Sequence, residues 1–167
     1  MLGLTNLGVI HTAISLVAVG SGLLALIRDR EISPKNRTGK IYIVTTVLTC
    51  VTGFGIFQHG GFGKPHVLGL ITLLVLLAAR LTRKHRWFGE ASRSVETVCY
   101  SATFFFHFIP AVTETTTRLP VGAPLIADRD GPELQAIAGI MFLLFLAGAW
   151  LQVRTIRAHR RLERAPV

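Results

Sequence analysis

Five apolar runs, at residues 5–27, 41–58, 66–82, 95–116 and 134–153, are separated by short segments that hold nearly all of the charge. A helix needs about 20 apolar residues, within a range of about 17 to 25, to cross the hydrocarbon of a bilayer. All five runs fall in that range. They are apolar around their whole circumference, which suits lipid contact better than the one-sided core face of a soluble helix. Hydrocarbon offers no partner to a free backbone N–H or C=O, so a single run of this length has to be helical. The expected fold is an all-α integral membrane helical bundle, one domain over residues 1–167 with about five transmembrane helices. Four are expected to form the core, and the fifth to pack outside it or against a partner.

The charges give a direction. Arg28 to Lys40, Arg80 to Arg93 and Arg154 to Arg164 each hold five Lys or Arg, while the alternate segments hold Lys64, Arg118 and Arg129. A split of 15 against 3 that alternates along the chain fits the positive-inside rule. It predicts an N-terminus outside and a C-terminus in the cytoplasm. The formal net charge of +9 then reads as affinity for an anionic leaflet rather than for nucleic acid. Charged residues make up only 16% of the chain, against about 25% in soluble domains, too few to cover an aqueous surface. The first run is preceded by no basic stretch and is too long for a signal sequence, so it is expected to stay as a helix.

Cys50 and Cys99 stand inside apolar runs without a CxxC partner and read as small hydrophobes. Gly60 to Pro65 is a tight glycine-rich turn, and the longer segment from Leu119 to Glu133 reads as an ordered cap or a moving lid. No phosphate loop, nucleophile elbow, dinucleotide fingerprint, CxxCH or HExxH is present, which argues against a hydrolase or a kinase. Whether the chain is an enzyme stays open.

The histidines carry the chemistry. His85 and His159 lie among basic residues at span ends and read as solvated interfacial groups. His11, His59, His66 and His107 belong to the first four runs, and the predicted direction brings all four to the outer half of the membrane. Ionisable groups there are costly and usually face the bundle interior. A b-type haem needs two axial imidazoles from different helices at one depth. His11 and His107 are the candidate pair, with His59 and His66 as a second, and Phe104, Phe105, Phe106 and Phe108 as porphyrin walls. A zinc or copper ion would instead take His59, His66 and Glu114, which is seven residues after His107 on nearly the same face. A quinone or proton site with a His–Glu acceptor is a third option. Against these stands a structural reading, in which the histidines only bond neighbouring helices or lie at the interface. Pro110 is expected to kink the fourth helix, with Thr113, Thr115, Thr116 and Thr117 satisfying the freed carbonyls.

Ile10-His11, the basic segment leading into Arg37-Thr38-Gly39-Lys40-Ile41-Tyr42, and Lys84-His85-Arg86-Trp87 resemble the uncharacterised bacterial membrane family called domain of unknown function 2306, over roughly residues 8 to 115. In that family a histidine usually precedes the Gly-Arg-Ile-Tyr-like step. Asn36 and Arg37 stand there in this chain, so no role of that histidine carries over. The resemblance implies a multi-pass protein of a bacterial cytoplasmic membrane. A looser similarity, through paired histidines in a small bundle, is to four-helix haem b proteins. The functional expectation is a redox-linked site for haem b or a metal ion. The alternative is a non-catalytic accessory subunit of a larger respiratory or photosynthetic complex, held through the fifth helix.

Overall fold

The computed structural model describes residues 5–57 and 61–164. Five α-helices follow one another in it, and no strand occurs among the described residues: α1 (Asn6–Asp29), α2 (Arg37–Gly53), α3 (Lys64–His85), α4 (Ser92–Arg118) and α5 (Pro132–Arg164). A single 3-10 turn, Gly89–Ala91, leads into α4.

Local chemistry sets the helix ends. The Thr5 hydroxyl accepts from the Gly8 N–H at the start of α1, and the Asn36 side-chain carbonyl accepts from the Gly39 N–H at the start of α2. Both satisfy donors that a helix N-terminus leaves without partners. Arg30 and Arg86 close α1 and α3 in the left-handed region, at φ 59° and 51°. Asn36 also donates to Asp29, which ties the start of α2 to the end of α1.

Helices α1, α2, α3 and α4 pack in a closed ring, each against the next and α4 against α1, while α5 lies outside it, packed chiefly on α4. The four-plus-one arrangement is therefore present. Close approach in the ring depends on Gly22, where an added Cβ would fall 2.6 Å from the Phe104 ring and 2.8 Å from the Tyr42 ring.

Four helices are long and apolar enough to cross a membrane: α1, α3, α4 with its leading turn, and α5. The sequence suggested five. Helix α2 has 17 residues, about 25 Å at 1.5 Å rise per residue, and it stops at Gly53. There the Gly55 and Ile56 N–H groups turn back onto the Thr52 and Gly53 carbonyls. Its threonines also lower its hydropathy, and they serve the interior, as described below. Helix α5 departs in the other direction. It continues past residue 153 through the basic segment to Arg164.

The molecule is apolar outside and polar inside. Leu16, Ile27, Leu144 and Leu143 are 65–71% exposed. Thr46, Thr72, Thr82, Thr97 and Thr103 are at most 5% exposed. Water would force the reverse arrangement, because large exposed apolar patches carry a cost that only another apolar phase removes.

Candidate functional site: a histidine–hydroxyl face along α2

Tyr42, Thr46, Thr49 and Thr52 recur at spacings of four, three and three, which places them on one face of α2. That face is turned to α1 and α4. His11 Nδ1 on α1 lies 3.1 Å from Thr52 Oγ1. The Thr52 hydroxyl already donates to the Leu48 carbonyl at 2.8 Å, so it accepts from His11 and sets the proton on Nδ1. One turn on, Ser15 Oγ donates to the His11 carbonyl at 2.8 Å and lies 3.4 Å from Thr49 Oγ1.

Deeper in the bundle, His107 Nε2 on α4 meets Thr46 Oγ1 at 3.0 Å, in a fully buried contact. The Tyr42 hydroxyl meets Thr103 Oγ1 at 2.8 Å, one turn along α2 from Thr46. Thr103 donates to the Tyr100 carbonyl, so Tyr42 is the donor to Thr103. Two buried polar pairs, Tyr42–Thr103 and Thr46–His107, thus stand one turn apart between α2 and α4.

The polar face continues towards the end of the bundle where the α1–α2 and α3–α4 connections lie. Tyr100 is buried one turn from Glu96. Glu96 pairs with Arg83 at 3.5 Å, Arg93 pairs with Glu31 at 3.6 Å, and Thr97 Oγ1 reaches Glu31 at 3.4 Å. These charged groups, with Lys35, surround a cavity of about 100 Å³. Imidazole and hydroxyl groups therefore occupy one end of the interior and carboxylates and guanidinium groups the other, with Tyr42, Thr103 and Tyr100 between them.

The other histidines have different surroundings. His66, in the first turn of α3, is 6% exposed. Its Nδ1 accepts from the Gly63 N–H at 3.2 Å, and its ring lies against Phe57 at 5.1 Å, Phe62 at 5.0 Å and Phe54 at 6.5 Å. Its Nε2 is buried without a hydrogen-bond partner among the described residues. Such an orphan costs on the order of 1–3 kcal/mol. His59 lies outside the described residues. His85 stacks on Trp87, and both His85 and His159 are exposed.

Glu114 is engaged by cations. Arg118 pairs with it at 2.5 Å and Arg129 at 3.3 Å, which anchors the segment between α4 and α5. Lys64 pairs with Asp130 at 2.6 Å across the same end. Of the proline-region threonines, Thr113, Thr116 and Thr117 bond the carbonyls of Ile109, Val112 and Thr113, all downstream of the Phe106 carbonyl that Pro110 leaves free. The expected repair at that carbonyl by these three side chains does not occur.

One haem iron needs two imidazoles facing each other at one depth. His11 and His107 each commit a ring nitrogen to an α2 hydroxyl, and their partners Thr52 and Thr46 are six residues, about 9 Å, apart along α2. As placed, this pair does not fit the axial positions of a single haem. Among the described residues, no three His, Cys, Asp or Glu side chains converge as metal ligands.

The interior hydroxyls were missing from the sequence reading, although their signal was present. Tyr42, Thr46, Thr49 and Thr52 follow helical spacing in a run without charge. An apolar cavity of about 330 Å³ also lies between α1, α4 and α5, with Leu26, Phe104, Phe108 and Phe145 among its walls. Comparison of the chain with protein-family models, with curated proteins and with solved structures finds no match.

Proposed function

We propose that this chain is a multi-pass membrane protein, N-terminus outside and C-terminus in the cytoplasm, that relays protons along the α2 face. His11 and His107 exchange protons near the outer end, and the Glu96–Arg83 and Glu31–Arg93 cluster receives them near the inner end. The observation that carries this reading is the succession of the pairs His107–Thr46 and Tyr42–Thr103 along one face, buried in a bundle whose exterior is apolar. Hydroxyl and imidazole groups both donate and accept, so each member can pass a proton on while taking another. Intramembrane ionisable residues that face the interior commonly serve such paths.

The test is proton entry into vesicles that contain the purified protein and a pH-sensitive dye, driven by an imposed potential. The wild type is expected to acidify the lumen at least tenfold faster than empty vesicles. His107→Ala and Thr46→Val are expected to remove most of that difference. A wild-type rate equal to that of empty vesicles would sink the relay. The visible spectrum of the same preparation tests the haem expectation, since a Soret band lost in His11→Ala would replace the relay with a redox cofactor.

A second reading, an accessory subunit of a larger membrane complex, is favoured by α5. Its apolar stretch is 6% buried, the lowest share among the four long apolar helices. Co-purification of a fixed partner in mild detergent, lost when α5 surface leucines are changed, would support it.

A further inference from the structure

We propose that His66 is the hydrogen-bond donor of a binding site for an apolar ligand with a carbonyl acceptor, namely the ring carbonyl of a quinone or the ester carbonyl of a lipid. The tautomer follows from the geometry. A backbone N–H can only donate, so Nδ1 of His66, which accepts from Gly63, carries no proton. The neutral ring therefore holds its proton on Nε2, and that N–H is buried without an acceptor among the described residues. Buried polar groups in native structures are nearly always satisfied, so an orphaned donor points to a partner that is not part of the chain.

The surroundings restrict the chemistry of that partner. Phe54, Phe57 and Phe62 enclose the ring, with Phe57 close to parallel to it at 23° between planes. An N–H donor does not attract a cation. Lys64, in the same helical turn, has its ammonium on Asp130, so no free positive charge is supplied for an anion. What remains is an uncharged acceptor on an apolar body.

Phe57 and Phe62 are themselves 58% and 68% exposed. The enclosure thus borders the apolar exterior, and displacing one exposed ring opens Nε2 to a ligand dissolved in the membrane. The flat, stacked walls suit a quinone ring better than an acyl ester. The site needs the membrane placement proposed above but not the proton relay, because His66 makes no bond to the α2 face.

The experiment uses the full chain, labelled with ¹⁵N-histidine, in nanodiscs made of ether lipids, which lack ester carbonyls. A benzoquinone with a decyl tail is the added probe. Saturable binding is expected, with a downfield shift of the His66 Nε2–H proton. His66→Phe, which keeps a flat ring and removes the donor, is expected to weaken binding about tenfold. If the quinone does not bind but the same resonance shifts when ester lipids replace ether lipids, the ligand is the lipid carbonyl and the site stands. If neither shift occurs in the wild type, the proposal is overturned, and that readout does not depend on whether the variant folds. Proton entry measured on the same protein reports the relay separately. Insertion into nanodiscs reports the membrane placement.

Discussion

At the scale of single residues, the tightest constraint is at Gly39. An added Cβ would lie 1.9 Å from the Ser33 carbonyl oxygen and 2.7 Å from its carbon, both backbone atoms that cannot swing away. The Gly39 N–H is also the donor held by the Asn36 cap. Gly39→Ala should therefore force the α1–α2 connection off α2. The expected loss is about 2–3 kcal/mol, at the upper end of typical overpacking costs. Gly20→Ala is the control. It has no neighbour within 4 Å and lies inside α1, where alanine is better than glycine by up to about 1 kcal/mol. Thermal melts in one detergent should show Gly39→Ala lowered and Gly20→Ala unchanged or raised. Equal melting temperatures for the two would refute the close approach. The histidines could be singled out from the sequence because an ionisable group in an apolar run is an exception that needs a reason. The helical spacing of Tyr42, Thr46, Thr49 and Thr52 marks the face of their partners but not the pairing, because threonine in a helix can satisfy itself on a carbonyl one turn back. Only the packed arrangement shows which hydroxyls have capacity left for an imidazole.

At the scale of helices, length and composition predicted α1, α3 and α4 closely, and missed how α2 stops short and how far α5 extends. In both cases the cause is tertiary. Helix α2 turns a polar face to α1 and α4 while Ile41, Val44, Leu48 and Val51 stay exposed on its other side, so its hydropathy understates its place in the bundle. Helix α5 continues because Arg160 bonds the Glu90 carbonyl and its carboxylate, holding the basic end beside the turn before α4. The main polar link of α5 to the ring is Gln152. It accepts from Ser101 Oγ at 2.8 Å and donates to the Arg30 carbonyl at 2.9 Å, joining α5 to α4 and to the end of α1. Hydrogen bonds between membrane helices contribute about 0.6 kcal/mol on average and up to about 1.7. Gln152→Leu should remove both bonds while keeping the side chain's bulk, and so loosen α5 by roughly 1 kcal/mol. Hydrogen exchange should then rise along α5 several-fold and stay unchanged in α2. Uniform exchange across all helices would mean that α5 is held by packing alone.

At the scale of the whole molecule, two independent patterns have to agree. One is radial, with leucine and isoleucine outward and threonine, serine and histidine inward. The other is axial, with 15 of the 18 basic residues in the α1–α2 and α3–α4 connections, in the helix ends beside them and in the C-terminal part of α5. A bilayer would explain the first, and retention of cations on the cytoplasmic side would explain the second. If both hold, Ala127, exposed between α4 and α5, faces the outside, and Leu162, exposed near the end of α5, faces the cytoplasm. With Cys50 and Cys99 replaced by alanine, Ala127→Cys should react with a membrane-impermeant maleimide on intact cells. Leu162→Cys should react only after lysis. The reverse pattern would invert the bundle and move the imidazoles to the inner leaflet, so that any proton path would start from the cytoplasm. Labelling of both positions on intact cells would show that no bilayer separates the two ends. The apolar exterior would then have to be covered by protein, and α5, already the least buried of the long apolar helices, would be the first surface on which to look for that cover.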